Sequence, residues 1–325
     1  MQLRNGKKLG WAEVYLNLKT VPFWAVHIAA IVGIIQLGFS WSGVALAALL
    51  YVPRMFFVTA GYHRYFSHRS YRTSRVFQFL LAFGAVATAQ KGVMWWASHH
   101  RKHHRFSDEP QDLHSPRDGF WWSHMGWILS YENEGTDLSG VPDLVKYPEL
   151  RLLERFWLAP PILVAVATYA LGGYFALVWG FFVAQVVLWH GTFTINSLSH
   201  VIGWRRFETT DDSRNHLGLA LLTLGEGWHN NHHHRPGVAR QGIGAREIDI
   251  SYAILRVLAV FGVVWDLREK PVTKKVRVGT AVETNPAGEM ALAQASHPAA
   301  EVTPTPMPTA VEVATSPVRA PSAAV

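Results

Sequence analysis

Nine histidines and one asparagine fall into four short clusters whose residue types and spacing suit metal binding. The clusters read HRYFSH at 63–68, HRKHH at 100–104, NSLSH at 196–200 and HNNHH at 229–233. Imidazole nitrogens bind iron, zinc and copper, and an asparagine amide oxygen can bind a metal directly or through a water molecule. The candidate ligands are His63, His68, His100, His103, His104, Asn196, His200, His229, His232 and His233.

The spacing within each cluster determines which side chains a helix could bring together. Residues at positions i, i+3 and i+4 project from one face of an α-helix, so the three histidines of each HxxHH cluster can point at a common site. Asn196 and His200 have the same i, i+4 relationship. His63 and His68 are five residues apart and would lie on different faces of a regular α-helix. We therefore expect this pair where a helix ends.

The number of candidate ligands points to two metal ions. A structural zinc site uses about four ligands and usually includes thiolates, whereas this chain offers nine clustered imidazoles and has no cysteine. Soluble di-iron bundles use glutamates with repeated Glu-x-x-His motifs, and the sequence has no such repeat. It thus predicts a histidine-only site for two metals. The ligand type alone is compatible with iron, zinc or copper.

The composition is typical of a membrane protein. Of the 325 residues, 49% are hydrophobic, 16% are charged and 14 are tryptophans, and this charged fraction is low for a soluble domain. The net charge of +7 does not indicate nucleic acid binding, because Lys7, Lys8, Lys146 and Lys274 lie outside the apolar segments. There they would face anionic lipid headgroups or an acidic redox partner.

Four apolar segments are candidates to cross the membrane. They form two hairpins, 21–39 with 42–60 and 157–171 with 174–195. The two segments of the first hairpin are each close to the length that spans hydrocarbon. The four clusters can meet only if the chain crosses an even number of times between any two of them, and two hairpins satisfy this condition. Basic residues before the first span place the shared face and both termini in the cytoplasm by the positive-inside rule.

A fifth apolar segment, 76–97, would carry HRKHH to the opposite face if it crossed the membrane. We therefore predict a helix that lies at or dips into the membrane interface.

The sequence divides into three predicted regions: a cytoplasmic N-terminus at 1–20, a membrane domain at 21–270 and a disordered tail at 271–325. The tail holds eight of the 17 prolines and is rich in Ala and Thr, a composition that does not form a packed core.

Longer motifs around the clusters resemble the membrane fatty acyl desaturases of the stearoyl-CoA desaturase type. The likeness runs from about Gly61 to Asp266 and includes GFWWSHMGW at 119–127, SRNHLGLALLTLGEGWHNNHH at 213–233 and EIDISY at 247–252. It implies an all-α integral membrane fold with four transmembrane helices and a cytoplasmic helical layer. It also implies a di-iron centre that uses O2 to introduce a double bond into an acyl chain, typically at the Δ9 position.

The resemblance assigns roles to individual residues. The nine clustered histidines would be iron ligands, and Asn196 would reach an iron through water. Gln90, Trp96 and Thr192 occupy the positions that hold the bend of the acyl chain in these relatives. The histidine of GFWWSHMGW, His124, is expected to hydrogen-bond a ligand histidine, as such residues commonly do.

The expected partners are an electron donor and the carrier of the acyl chain. Nothing in the sequence resembles a flavin, nicotinamide or haem-binding motif, so a separate carrier such as a ferredoxin or a b-type cytochrome would supply two electrons. Animal members of the family have basic residues after the GFWWSHMGW-type phrase to hold the phosphates of CoA, whereas here residues 128–132 read ILSYE. The acyl carrier is therefore either CoA or a membrane glycerolipid.

Two alternatives remain on sequence grounds. Another histidine-cluster membrane oxygenase, such as an alkane, sterol or carotenoid hydroxylase, would share HxxHH but not GEGWHNNHH together with NSLSH. A non-catalytic metal-binding or transport protein would usually place its ligands in the middle of its membrane spans. Here the clusters lie at the ends of the apolar segments, which favours the desaturase.

Overall fold

Helices make up most of residues 10–270, the part of the chain that the computed structural model describes. The predicted tail at 271–325 and the first nine residues lie outside this part. Three segments wind as π-helices, Phe57–Ser67, Trp122–Gly126 and Leu177–Val183. The α-helices are α1 (Trp11–Tyr15), α2 (Val21–Leu37), α3 (Trp41–Phe56), α4 (Arg75–Val86), α5 (Val93–Phe106), α6 (Trp127–Leu129), α7 (Pro142–Val145), α8 (Pro148–Arg155), α9 (Ala159–Ala176), α10 (Ala184–Asn196), α11 (Leu217–Leu222), α12 (His229–His234) and α13 (Ile250–Val260).

The first predicted hairpin is formed by α2 and α3. α2 ends at Gly38, which has a φ of +74°, a conformation that glycine adopts without strain. Ser40 then caps α3 by accepting a hydrogen bond from the backbone N–H of Gly43 at 3.2 Å. α3 continues without interruption into the π-helix Phe57–Ser67. This continuous helix carries the first histidine cluster at its far end.

Three helical segments of residues 10–270 are long and apolar enough to cross a membrane: Leu18–Leu37, Trp41–Ser67 and Ala159–His200. The third has 42 residues, about twice the length that one crossing needs. Its helical geometry breaks at Gly172 and at Gly173, whose φ is +62°. The glycines thus interrupt the helix where the sequence predicts the second hairpin, and the count of four spans stays a prediction.

Large apolar side chains cover the outer faces of these segments. Ile35 on α2 is 75% exposed and Leu171 on α9 is 89% exposed. Soluble proteins rarely expose contiguous apolar surfaces of this kind, because contact of apolar groups with water is unfavourable. A lipid bilayer removes this cost, so the segments indicate membrane association.

The prediction of one helix over residues 76–97 is wrong. The chain forms two helices, α4 and α5, separated by residues 87–92. Within this break Ala89 and Lys91 adopt positive φ values of +54° and +71°. α4 has 12 residues, a length of about 18 Å that is too short to cross hydrocarbon.

The start of α5 is fixed by a carboxylate from α8. Glu154 accepts hydrogen bonds from the backbone N–H groups of Met94 at 2.9 Å and Trp95 at 3.0 Å, where a negative charge also stabilises the helix dipole. A Cβ at Gly92 would lie 2.0 Å from an oxygen of Glu154. Only glycine at this position lets the carboxylate reach the helix that carries the second histidine cluster.

The segment after α12 returns to cover the π-helix Phe57–Ser67. α13 packs against it, and the hydroxyls of Thr59 and Ser251 are 2.6 Å apart. A short antiparallel pair, β1 (Arg72–Thr73) with β2 (Val264–Trp265), closes this region. The apolar stretch near 253–265 therefore packs over the residues that carry the first cluster.

Candidate metal centre

The nine predicted histidines form two groups in the interior of the protein. Within each group the candidate ligand nitrogens lie within 4.8 Å of one another. The first group contains His63, His68, His100, His104 and His232. The second group contains His103, His200, His229 and His233.

The π-helix brings His63 and His68 together. Its hydrogen bonds run from residue i+5 to residue i, and the N–H of His68 donates to the carbonyl of His63 at 3.2 Å. Residues five apart therefore lie on one face, and the two ring centroids are 4.8 Å apart. The helix does end at Ser67, as predicted, but the wider winding rather than the end alone aligns the pair.

Each HxxHH helix contributes to both groups. α5 directs its i, i+4 pair, His100 and His104, into the first group and His103 into the second. α12 directs His232 into the first group and its i, i+4 pair, His229 and His233, into the second. The two helices thus hold the groups side by side. The spacing predicts that the three histidines of each cluster point at one site, but each cluster is divided between the two groups.

The nitrogen–nitrogen distances match those of ligands on a shared metal. Nε2 of His63 lies 2.9 Å from Nε2 of His232, and Nε2 of His200 lies 3.1 Å from Nε2 of His229. In the first group, Nε2 of His68 lies 2.8 Å from Nε2 of His100. With metal–nitrogen bonds of about 2.1 Å, two ligands at right angles are separated by about 3.0 Å.

Four buried carboxylates orient four of these histidines through Nδ1. The pairs are His63 with Glu226 at 2.6 Å, His103 with Asp112 at 2.9 Å, His200 with Asp108 at 2.8 Å and His233 with Asp211 at 2.5 Å. An imidazole that donates its Nδ1–H in this way presents the lone pair of Nε2 to a metal. The sequence analysis did not identify these acids, although two of them follow the HRKHH cluster by four and eight residues.

The charges of these pairs follow from their partners. Burial by itself would raise the pKa values of Asp108, Asp112 and Asp211, but the facing imidazoles hold them below the ordinary value. Burial would also raise the pKa of Glu226, but His63 and Arg64 lower it below its ordinary value. All four acids are therefore ionised at neutral pH. Arg64 is itself buried and also pairs with Asp249 at 3.0 Å.

Burial keeps most of the histidines neutral. It lowers the pKa of His233 to about 4, and it moves five others well below their ordinary value. Those five are His68, His100, His104, His229 and His232. His103 is the exception, since Asp112 outweighs the effect of burial and raises its pKa. Neutral imidazole is the form that binds metals.

The donor set fits two metal ions. His63 uses Nδ1 for Glu226, so its Nε2 lone pair faces Nε2 of His232 at 2.9 Å. Nε2 of His233 is buried and has no hydrogen-bond partner among the described residues. Buried polar atoms are rarely left unpaired, and a cation in each group would satisfy them. Asn196 lines the same cavity as His63, His103 and His229.

The expectation for His124 is wrong. Its Nδ1 lies 2.9 Å from the hydroxyl of Ser197, and its Nε2 lies 2.9 Å from Nδ1 of His190. Neither partner belongs to the two histidine groups. Nε2 of His190 is in turn 3.1 Å from Nε2 of His27, so His124 ends a chain of three histidines that links α2, α10 and the π-helix Trp122–Gly126.

Three cavities with shared lining residues lead to the histidine groups. The outer cavity, of about 250 Å³, is lined by Lys19, Phe23, Lys91 and Glu134. It shares Gln90 with a middle cavity, and the middle cavity shares Thr192 with an inner one. The inner cavity is lined by apolar side chains together with His63, His100, His103 and His229.

The three residues predicted to hold an acyl bend all line the middle cavity. Nε2 of Gln90 donates to Oγ1 of Thr192 at 3.2 Å. The ring of Trp96 stacks on Tyr62, with centroids 5.2 Å apart, and on His100, with centroids 4.8 Å apart. Trp96 therefore lies between the bend and a histidine of the first group.

Comparison with known proteins gives matches over most of the chain. A family model described as fatty acid desaturase matches residues 39–245. The sn-1 stearoyl-lipid 9-desaturase of Synechocystis is 36% identical over 256 residues, which cover 77% of this chain and 80% of the relative. The protein of the same name from Anabaena variabilis is 33% identical and covers 77% and 93%. The Acyl-CoA 5-desaturase AL21 of Anemone leveillei is 34% identical and covers 81% and 83%.

Proposed function

Because this chain belongs to the fatty acid desaturase family, we propose that it introduces a cis double bond at the Δ9 position of a long-chain acyl group carried by a membrane glycerolipid. Desaturation itself follows from family membership. The position, the carrier and the two irons are the proposed parts. The observation that carries the proposal is the series of three cavities that share Gln90 and Thr192 as lining residues and whose inner member borders histidines of both groups.

In this proposal the nine histidines hold two irons, and Asn196 binds one of them through water. The irons, with O2 and two electrons from a ferredoxin or a b-type cytochrome, supply the oxidising power that removes two hydrogens from neighbouring methylene groups. One O2, two electrons, two protons and the two acyl hydrogens give two waters. The protein contributes the position of the chain, since a methylene group offers no feature that a hydrogen bond could recognise.

The charges at the outer cavity favour a glycerolipid over acyl-CoA. Lys19 and Lys91 both face the carboxylate of Glu134, and Nζ of Lys91 is 3.5 Å from it. Lys91 also lies over the ring of Trp157. The two cations are thus partly neutralised, which leaves little positive charge for the several phosphates of CoA. Two of the relatives described above carry stearoyl-lipid 9-desaturase in their names, which supports both the carrier and the position.

The proposed membrane arrangement has four spans, with the histidine groups and both termini on the cytoplasmic side. It rests on the break at Gly172 and Gly173 within a segment of 42 residues. Basic residues before the first apolar segment favour the cytoplasmic orientation.

Lipid analysis of a host that lacks Δ9 desaturation tests the proposal. Cells that express the chain should accumulate monounsaturated acyl chains with the double bond at carbon 9, and His232→Ala should abolish the product. A hydroxylated product without a double bond would contradict the function.

A separate experiment tests the carrier. Membranes receive labelled stearoyl-CoA with and without a block of acyl transfer to lipid. Desaturation that stops when transfer is blocked supports a glycerolipid carrier. Desaturation that continues at the same rate would show that acyl-CoA is the substrate.

A further inference from the structure

We propose that residues 87–92 form a template for the position of the double bond, and that Arg54, Tyr62, Gln185 and Trp189 hold this template in place. The proposal rests on the proposed function, since it concerns where along the acyl chain the reaction occurs. We call residues 87–92 the bend loop. Its four partners are positioning residues that act on the acyl chain through the loop, and Trp189 also lines the outer cavity.

The bend loop contains two residues with an unfavourable backbone conformation. Ala89 and Lys91 lie in the left-handed region, with φ values of +54° and +71°, where residues other than glycine are strained. Such a conformation persists only when the surrounding structure imposes it. The loop also lines the cavity, because Ala89, Gln90 and Lys91 border its outer part and Gln90 borders the middle part. The conformation of the bend loop therefore shapes the outer and middle cavities.

Four of the loop's carbonyl groups accept hydrogen bonds from side chains of other elements. The contacts are Nη2 of Arg54 to the carbonyl of Ala87 at 3.4 Å, Nε2 of Gln185 to Thr88 at 2.7 Å, Nε1 of Trp189 to Ala89 at 3.1 Å, and the hydroxyl of Tyr62 to Lys91 at 2.5 Å. The donors come from α3, α10 and the π-helix Phe57–Ser67. The loop is thus fixed at nearly every residue.

α10 provides most of this support from one face. Gln185, Trp189 and Thr192 are spaced at i, i+4 and i+7, which places them in one row along the helix. Thr192 accepts the hydrogen bond from Gln90. Asn196, which borders the inner cavity, ends the same helix four residues later. The distance from the bend to the histidine groups is therefore set along one rigid element.

Arg54 determines which way the amide of Gln185 points. Nη2 of Arg54 donates to Oε1 of Gln185, so the Nε2 donor of that amide is directed at the carbonyl of Thr88. Arg54 is buried, and its Nε and Nη1 atoms have no hydrogen-bond partner among the described residues. Arg54 makes no ion pair with a carboxylate among the described residues, so its hydrogen bonds to Gln185 and Ala87 compensate for its burial.

The variant Trp189→Phe tests the template. It removes the N–H that holds Ala89 and keeps an aromatic side chain beside the cavity. The share of double bonds at positions other than the main one should rise by a factor of about two to ten, the equivalent of one net hydrogen bond. Trp179→Phe is the matched control, because Nε1 of Trp179 is buried without a partner among the described residues. The control should leave the distribution of positions unchanged.

A second pair of variants separates the template from a general structural role. Gln185→Glu keeps a partner for Arg54 but loses the donor to Thr88, and it should also spread the double-bond positions while the iron content stays unchanged. Gln185→Glu and Trp189→Phe proteins that retain one unchanged position at reduced yield would overturn the proposal. A wild-type chain that forms no double bond would instead contradict the proposed function.

Discussion

Nε2 of His63 lies 2.9 Å from Nε2 of His232, although 169 residues separate the two in the chain. The Nδ1 atom of His63 is occupied by Glu226 at 2.6 Å, so the close approach brings a lone pair of one ring toward the other. A metal ion bound by both nitrogens would account for this contact. The contact brings the first and last histidine clusters of the sequence together in one group.

Glu226→Gln should weaken iron binding. The carboxylate orients His63 and raises its basicity as a ligand, and loss of such a partner typically lowers metal affinity by about 10–100-fold. Arg64 keeps its pair with Asp249, so the fold should persist. Competition with a chelator measures the affinity. Glu149→Gln, which changes a carboxylate that pairs with the exposed Arg75, is the control, and equal affinities in both variants would contradict the role of Glu226.

Glu134→Gln should increase the use of acyl-CoA. The substitution frees Lys19 and Lys91 from their shared carboxylate, and a charge-assisted hydrogen bond to phosphate contributes about 1.5–3 kcal/mol. The concentration of stearoyl-CoA needed for half-maximal rate should fall by about ten-fold or more, if both lysines can reach the phosphates. Glu132→Gln, on the same exposed turn, should have no effect. An unchanged requirement in Glu134→Gln would show that these lysines do not bind the phosphates of CoA.

The iron-free protein should lose stability as the pH falls from about 6.5 to about 4. Burial lowers the pKa of His233 to about 4, below the value of about 6.5 for an unfolded histidine. In this window the unfolded chain binds protons that the folded chain does not, so the free energy of unfolding decreases with decreasing pH. Thermal unfolding in detergent at pH 7.5 and pH 5 measures the change. A midpoint that is constant or higher at pH 5 would contradict the neutral, buried histidines.

Reporter domains inserted after His68 and after Asp118 should both lie in the cytoplasm. The segment between them contains α4, whose length of about 18 Å does not cross hydrocarbon. Protease accessibility in oriented vesicles measures the location. An external reporter after Asp118 together with a cytoplasmic one after His68 would mean that the chain crosses the membrane between the first two clusters.

Local spacing predicts the residues of the candidate site but not how they are divided between the two histidine groups. The HxxHH histidines were identifiable because i, i+3 and i+4 positions share a helix face. The π-helix that aligns His63 with His68 has no such local signature, since five-residue spacing fits no α-helical face. The same limit applies to Asp211, whose contact with His233 depends on the folding of a loop.

Tertiary contacts also decide the break between α4 and α5. Apolar composition alone favours one helix over 76–97, and Gly92 is the only glycine or proline within residues 87–92. The positive φ values of Ala89 and Lys91 are imposed by donors from α10 and the π-helix. A sequence pattern read within one segment does not contain these partners. The two apolar helices α2 and α3 were predictable because their length and composition suit a membrane-spanning segment.

The iron content of the purified protein tests the central claim most directly. Two irons per chain are expected in the wild type, because the histidines form one group of five and one group of four. His63→Ala should lose iron from the first group and abolish double-bond formation, whereas His234→Ala, at an exposed histidine outside both groups, should keep two irons and full activity. A single tightly bound zinc in the wild type, or full activity in His63→Ala, would contradict the di-iron account.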